Sequence, residues 1–203
     1  MPKILAQVRE PQRSALVLGF LIALCSAVGG LGGWVTQTSV TTWYPTLSKP
    51  WFTPPDWLFG PVWTVLYIMM AVAAWLVWRS GDRVRAQDAL YLFAVQLALN
   101  LAWSLLFFGL RDPALALVEV VGFWIAIAAT TRAFWPLDRR AGLLMLPYLA
   151  WVGFAALLNA AALGGKELGE LKTVFSGAGA AAIATANLMV SLGVRRENVW
   201  LCD

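Results

Sequence analysis

Apolar residues in this chain fall into long unbroken runs, not into the alternation of a half-buried strand or the narrow stripe of a helix with one wet face. Five such runs, 14–35, 60–79, 89–109, 113–135 and 141–163, reach the length of about 20 residues that a helix needs to cross a hydrocarbon core of about 30 Å. A sixth, 173–194, is long enough, but Ser176-Gly-Ala-Gly-Ala-Ala-Ala dilutes it, so its insertion is only weakly driven. Lipid offers no water to satisfy backbone groups, and the period-2 alternation of a barrel strand is missing. The pattern therefore predicts an all-α integral membrane protein, a five-transmembrane-helix bundle with a candidate sixth C-terminal span. Residues 1–163 form the bundle and 164–203 a C-terminal extension.

The segments between the runs sharpen this picture. Short polar links, Arg79 to Asp88 and Leu137 to Arg140, force successive helices to run antiparallel. The link 36–59 is different. It carries Trp43, Tyr44, Pro45, Pro50, Trp51, Phe52, Pro54, Pro55 and Trp57, too rich in proline for a helix and too aromatic for a flexible tether, and it reads as a functional lid. The first run follows Lys3, Arg9 and Arg13 as a signal peptide would, but lacks a small-x-small cleavage site and reads as a retained helix. Lys3, Arg9, Arg13, Arg79, Arg83, Arg85, Arg132, Arg139 and Arg140 gather on one side of the bundle. The other side has Lys49, Arg111, Lys166 and Lys172, so the N-terminus is expected in the cytoplasm and the aromatic loop on the far face.

Composition excludes several function classes. Hydrophobic residues make up 60% of the 203 and charged residues 13%, outside the range of soluble domains. The net charge of +4 lies between apolar runs, where it sets orientation, and no nucleic-acid partner is expected. There is no histidine, so the commonest general base, metal ligand and proximal haem ligand are all lacking. Cys25 lies inside an apolar run and Cys202 beside the C-terminus, a setting that suggests neither a disulfide framework nor a metal site. No metal and no cofactor are expected, and the motifs of phosphate-loop, serine-hydrolase and zinc chemistry are missing.

The residues left to carry a function are aromatic and polar ones inside the spans. Of twelve tryptophans, Trp57, Trp75, Trp78, Trp135 and Trp200 fall near span ends, where an interfacial belt accounts for them. Trp63, Trp103 and Trp151 lie within spans, where a large ring needs room and an indole N–H needs a partner; a ring-lined pocket or simple packing would supply both. Gln96 and Asn100 share one helical face, with Trp103 further along the same stripe, and Asn159 follows Trp151 by about two turns. Both sets can face a common cavity or make ordinary interhelical hydrogen bonds. Glu119 is the one carboxylate well inside a run; it can meet a ligand nitrogen, reach toward the interface, or pair with Arg111 or Arg132. Ala94, Ala98 and Ala102 recur every four positions and can form a dimer seam or an intramolecular contact.

Read in order, these segments resemble the translocator protein family (TspO/MBR), also called tryptophan-rich sensory proteins or peripheral-type benzodiazepine receptors. The resemblance rests on Trp43-Tyr-Pro-Thr-Leu-Ser-Lys-Pro50, Pro54-Pro55, Gly60-Pro-Val-Trp-Thr-Val-Leu-Tyr67, Gln96-Leu-Ala-Leu-Asn-Leu-Ala-Trp-Ser-Leu-Leu-Phe-Phe108 and Pro147-Tyr-Leu-Ala-Trp-Val-Gly-Phe-Ala155. It implies a five-helix bundle, commonly a homodimer, that binds porphyrins such as protoporphyrin IX. By position, the family's ligand-binding residues correspond to Tyr44, Trp63, Asn100, Trp103, Glu119, Trp151, Ala155 and Leu158. The tryptophans matching Trp63 and Trp151 are associated in bacterial members with light-dependent porphyrin breakdown, so these two would be the catalytic residues if such breakdown is a true activity. Where some members carry a Tyr-Arg pair suited to cholesterol, this chain has Ala160-Ala-Ala-Leu-Gly164, so the resemblance lends no support to a sterol site.

Three functions follow as expectations. The first is a membrane receptor or transporter binding protoporphyrin-type tetrapyrroles and other flat hydrophobic ligands in a Trp-lined pocket. The second is a porphyrin-degrading enzyme that uses light and oxygen. The third is a porphyrin-sensing regulatory protein whose extension meets a partner. The similarity to bacterial members and the charge bias suggest a bacterial inner membrane.

Overall fold

The computed structural model describes residues 2–47, 49–164, 173–176, 180–191 and 194–202. Among these residues six α-helices and two short strands follow in order: α1 Pro2–Val40, α2 Asp56–Trp78, α3 Arg83–Ser104, α4 Pro113–Phe134, α5 Arg139–Gly164, β1 Thr173–Ser176, α6 Ala180–Ser191 and β2 Val199–Cys202. Among the described residues, α1 to α5 are the five helices long and apolar enough to cross a membrane, and the protein is an integral membrane helical bundle.

Local chemistry sets the helix ends. Asp82 caps α3 by accepting from the Arg85 N–H at 3.1 Å. α3 closes in one π turn, Leu105–Gly109, and the chain then reverses through Arg111 at φ 58°. Asp112 accepts from the N–H groups of Ala114 (3.1 Å) and Leu115 (2.9 Å), with Pro113 at the first helical position of α4. Asp112→Ala is expected to cost about 1 kcal/mol, read as a fall of roughly 2–4 °C in the melting temperature of the solubilised protein. An unchanged melt would show that the cap contributes nothing.

Packing neighbours run α1, α2, α5, α4, α3 and back to α1, so the spans form a closed ring. The half of the bundle away from the lid is solid: Met70, Val77, Phe93, Phe123, Ile127, Met145 and Tyr148 are buried there, and Phe93 stacks on Phe134 with centroids 6.0 Å apart. Gly142 lies against Trp135 so closely that an added Cβ would overlap the ring.

Two expectations about element extents are corrected. Among its described residues the run 173–194 forms no sixth span. Its described residues hold β1 and the 12-residue α6, which rises about 18 Å, well short of a bilayer core. α6 instead packs along α5, where Leu157, Ala186, Met189 and Val194 bury a small second core that Phe52 and Val199 flank. β1 pairs in parallel with β2, Thr173 opposite Val199. The lid is also shorter than 36–59, because α1 continues through Val40 and α2 starts at Asp56, immediately after Pro54 and Pro55. The loop proper is 41–55, and its described residues include a 3₁₀ turn at Tyr44–Thr46. The side chains of Lys3 and Arg9, and residues Lys166 and Lys172, lie outside the described part.

Candidate functional site

The lid half of the bundle encloses a cavity of about 650 Å³ bounded by α1, α2, α3, α5 and the loop. At its inner end lies a chain of buried hydrogen bonds. The Tyr67 hydroxyl donates to the Asn100 carbonyl oxygen, Asn100 Nδ2 donates to the Tyr148 hydroxyl at 3.1 Å, and that hydroxyl donates to Gln96 Oε1 at 2.8 Å. Gln96 and Asn100, four apart on α3, thus use one helical face to hold α2 and α5 together, and Asn100 also lines the cavity. The chain of bonds ends at Gln96, whose Nε2 has no hydrogen-bond partner among the described residues.

Aromatic rings form the walls. Trp63 lies 5.6 Å from the Tyr67 ring and 6.2 Å from Tyr148; Trp103 stacks on Phe107 at 5.1 Å; Trp151 sits between Phe59 and Phe154, 5.7 Å from each. The indole N–H groups of Trp103 and Trp151 have no hydrogen-bond partner among the described residues. The π turn after α3 turns Phe107 and Phe108 toward the loop, where Tyr44 meets Phe108 at 5.8 Å and Trp43 meets Phe107 at 5.5 Å. Lys49 holds its ammonium 4.3 Å from the centre of the Tyr44 ring, a cation–π contact that fastens the loop to itself. Burial, with Asp56 nearby, pushes the Tyr44 phenol up to about 12, so it stays a protonated donor at neutral pH.

Of the residues singled out from the sequence, Tyr44, Trp63, Asn100, Trp103, Trp151, Ala155 and Leu158 all line the cavity. Glu119 does not. It sits on α4, whose residues form no part of the lining, and its carboxylate oxygens have no hydrogen-bond partner, neither Arg111 nor Arg132, among the described residues. Asn159 borders the cavity, and its amide, oriented to satisfy both groups, donates to the Pro113 carbonyl at 3.0 Å and accepts from the Leu117 N–H at 3.2 Å. It ties α5 to the start of α4. Sequence reasoning missed the α1 wall, Gly29, Gly30, Gly32 and Gly33, although the Gly-Gly-Leu-Gly-Gly spacing was visible. No group of three or more metal-ligating side chains occurs among the described residues.

The sequence profile of the TspO/MBR family matches residues 21–163, the bundle that encloses this cavity. The chain belongs to the TspO/MBR family. It is 45% identical to the tryptophan-rich protein TspO of Chlorobaculum tepidum over 148 residues, 72% of this chain and 94% of the relative. It is 41% identical to the tryptophan-rich sensory protein of Cereibacter sphaeroides over 145 residues, 71% and 87% of the two chains. It is 40% identical to the translocator protein of Bos taurus over 144 residues, 70% and 85% of the two. As a TspO/MBR member the chain has an addition: β1, α6 and β2 all lie beyond the matched region.

Proposed function

We propose that this TspO/MBR protein is a membrane receptor or transporter that binds a flat hydrophobic ligand of the protoporphyrin IX type in the lid-end cavity. The observation that carries the reading is the cavity itself: about 650 Å³, inside the range of small-molecule sites, and walled by Trp63, Trp103 and Trp151 under an aromatic loop. Indole faces suit a planar π-system, and Asn100 and Tyr44 offer polar atoms to its edge. The names of the relatives, sensory and translocator, agree with a ligand-binding role. Titrating solubilised protein with protoporphyrin IX is expected to give saturable tryptophan quenching. Linear, unsaturable quenching would remove the reading.

The same two rings, Trp63 and Trp151, would serve a light- and oxygen-dependent breakdown of the porphyrin. A product spectrum that forms with the protein but not with free tryptophan would mark that activity. By the charge bias we orient the chain with its N-terminus in the cytoplasm of a bacterial inner membrane. We further propose a homodimer through the small-residue ridge of α3. Ala94 and Ala98 are exposed, and they floor a shallow groove edged by Leu21, Leu24 and Val28 of α1, where a partner helix can approach closely. Ala98→Phe is expected to convert dimer to monomer in sedimentation of the detergent complex; an unchanged mass would place the seam elsewhere.

A further inference from the structure

α1 and α2 run together in one half of the bundle and part in the other. Away from the lid, Trp75 Nε1 donates to the Ser14 carbonyl at 3.0 Å and the Arg13 guanidinium lies 5.7 Å from the Trp78 ring. Midway, the Gly29 backbone touches the Tyr67 ring so closely that no Cβ fits between them. Beyond Gly29 the partners change. Gly32 packs on Ser104, Val35 on Gly109, and the Ser39 hydroxyl donates to the Phe108 carbonyl at 2.7 Å, all on α3 or its π turn. α2 at that depth turns to α5, through Phe59 on Trp151 and Trp63 on Tyr148.

The cavity fills the wedge between the two helices. On its α1 side the stripe Ser26, Gly30, Gly33 and Gln37 is exposed, and on its α2 side Gly60 and Thr64 are exposed beside the rings of Phe59 and Trp63. A Cβ added at Gly30, Gly33 or Gly60 would meet no atom within 4 Å. Because α1 and α2 are neighbours in the ring, no third helix among the described residues covers the outer side of the wedge, which leaves that side to lipid in a bilayer. Gly30 and Gly33 lie within the span Gln12–Val40 and Thr64 within Asp56–Trp78, which puts the opening at membrane depth.

We propose that this wedge is a lateral portal, by which a planar ligand dissolved in the bilayer enters the cavity sideways without crossing water. The inference rests on the ligand-binding reading above and names the class of ligand. It is an amphiphile apolar over both faces, able to slide between the glycine wall of α1 and the α2 wall, with a polar edge that stays at lid level, where Lys49 and Asp56 both border the cavity. Each buried methylene favours lipid over water by about 0.8 kcal/mol, so such a molecule is scarce in water and a route through the loop is limited by its desorption from the membrane.

Protein in vesicles already containing protoporphyrin IX can be perturbed by a temperature jump, and the relaxation of tryptophan quenching compared with porphyrin transfer to empty acceptor vesicles. The portal requires relaxation faster than desorption by about tenfold or more. Gly33→Leu combined with Thr64→Phe, which fills the wedge from both sides, is expected to bring relaxation down to the desorption rate without changing the melting temperature. A wild-type relaxation no faster than desorption, or a folded double variant as fast as wild type, overturns the portal and leaves the binding reading intact. Wild-type protein without saturable quenching removes both. Should the variant fail to fold, the wild-type comparison decides alone.

Discussion

Gly29→Ala should destabilise the protein by about 3 kcal/mol while Gly30→Ala, one residue on, leaves it unchanged or up to about 1 kcal/mol more stable. A Cβ at Gly29 would lie 2.5 Å from Tyr67 Cε2 and 2.7 Å from Cδ2. The ring cannot yield cheaply, because its hydroxyl is the first link of the buried chain through Asn100, Tyr148 and Gln96, and a broken link strands polar groups in a dry interior. At Gly30 the same methyl meets open space and adds only helix propensity. Melting of the two variants in detergent separates the cases: roughly 6–12 °C lost for Gly29→Ala and none for Gly30→Ala. Equal melts would show that the close approach of α1 to Tyr67 does not hold the bundle.

Trp63→Phe with Trp151→Phe should weaken protoporphyrin IX binding by about tenfold to a hundredfold, or roughly 1.4–2.8 kcal/mol. The two rings stand on different helices of the same cavity, so the pair removes indole area from two walls at once. Phenylalanine keeps the apolar contacts with Tyr67, Tyr148, Phe59 and Phe154, which limits the effect to the site. Binding must be read from porphyrin absorbance, since the substitutions remove two of the quenched fluorophores. Trp75→Phe, whose indole bonds to Ser14 outside the cavity, should leave affinity alone. An affinity loss equal for both variants would mean that the tryptophans report the fold and not the site.

The spans were legible because membrane helices are written in unbroken apolar runs, and the cavity wall was legible where it is made of conspicuous side chains. Trp63, Trp103, Trp151 and Asn100 stand out because rings and amides inside lipid need a reason. Glu119 stood out by the same logic, yet the cavity is bounded by α1, α2, α3 and α5, and helix order around the ring cannot be read from one chain's hydropathy. The glycine wall of α1 was overlooked for the opposite reason. Glycine has no side chain to suggest chemistry, and its effect arises from what the neighbouring helix leaves unfilled. The extension was misjudged by length: 173–194 counts enough residues for a crossing, but only 180–191 coil into α6, whose apolar residues find α5.

The two thiols of this protein have opposite fates. Cys25 is fully buried between helices, whereas Cys202 is exposed at the end of β2. A water-borne alkylating reagent therefore meets one accessible sulfur per chain, on the C-terminal extension whose small core Phe52 of the loop helps to flank. A dye attached there sits on the addition to the family bundle, so the unsubstituted sequence already contains its own handle for reporting on the extension.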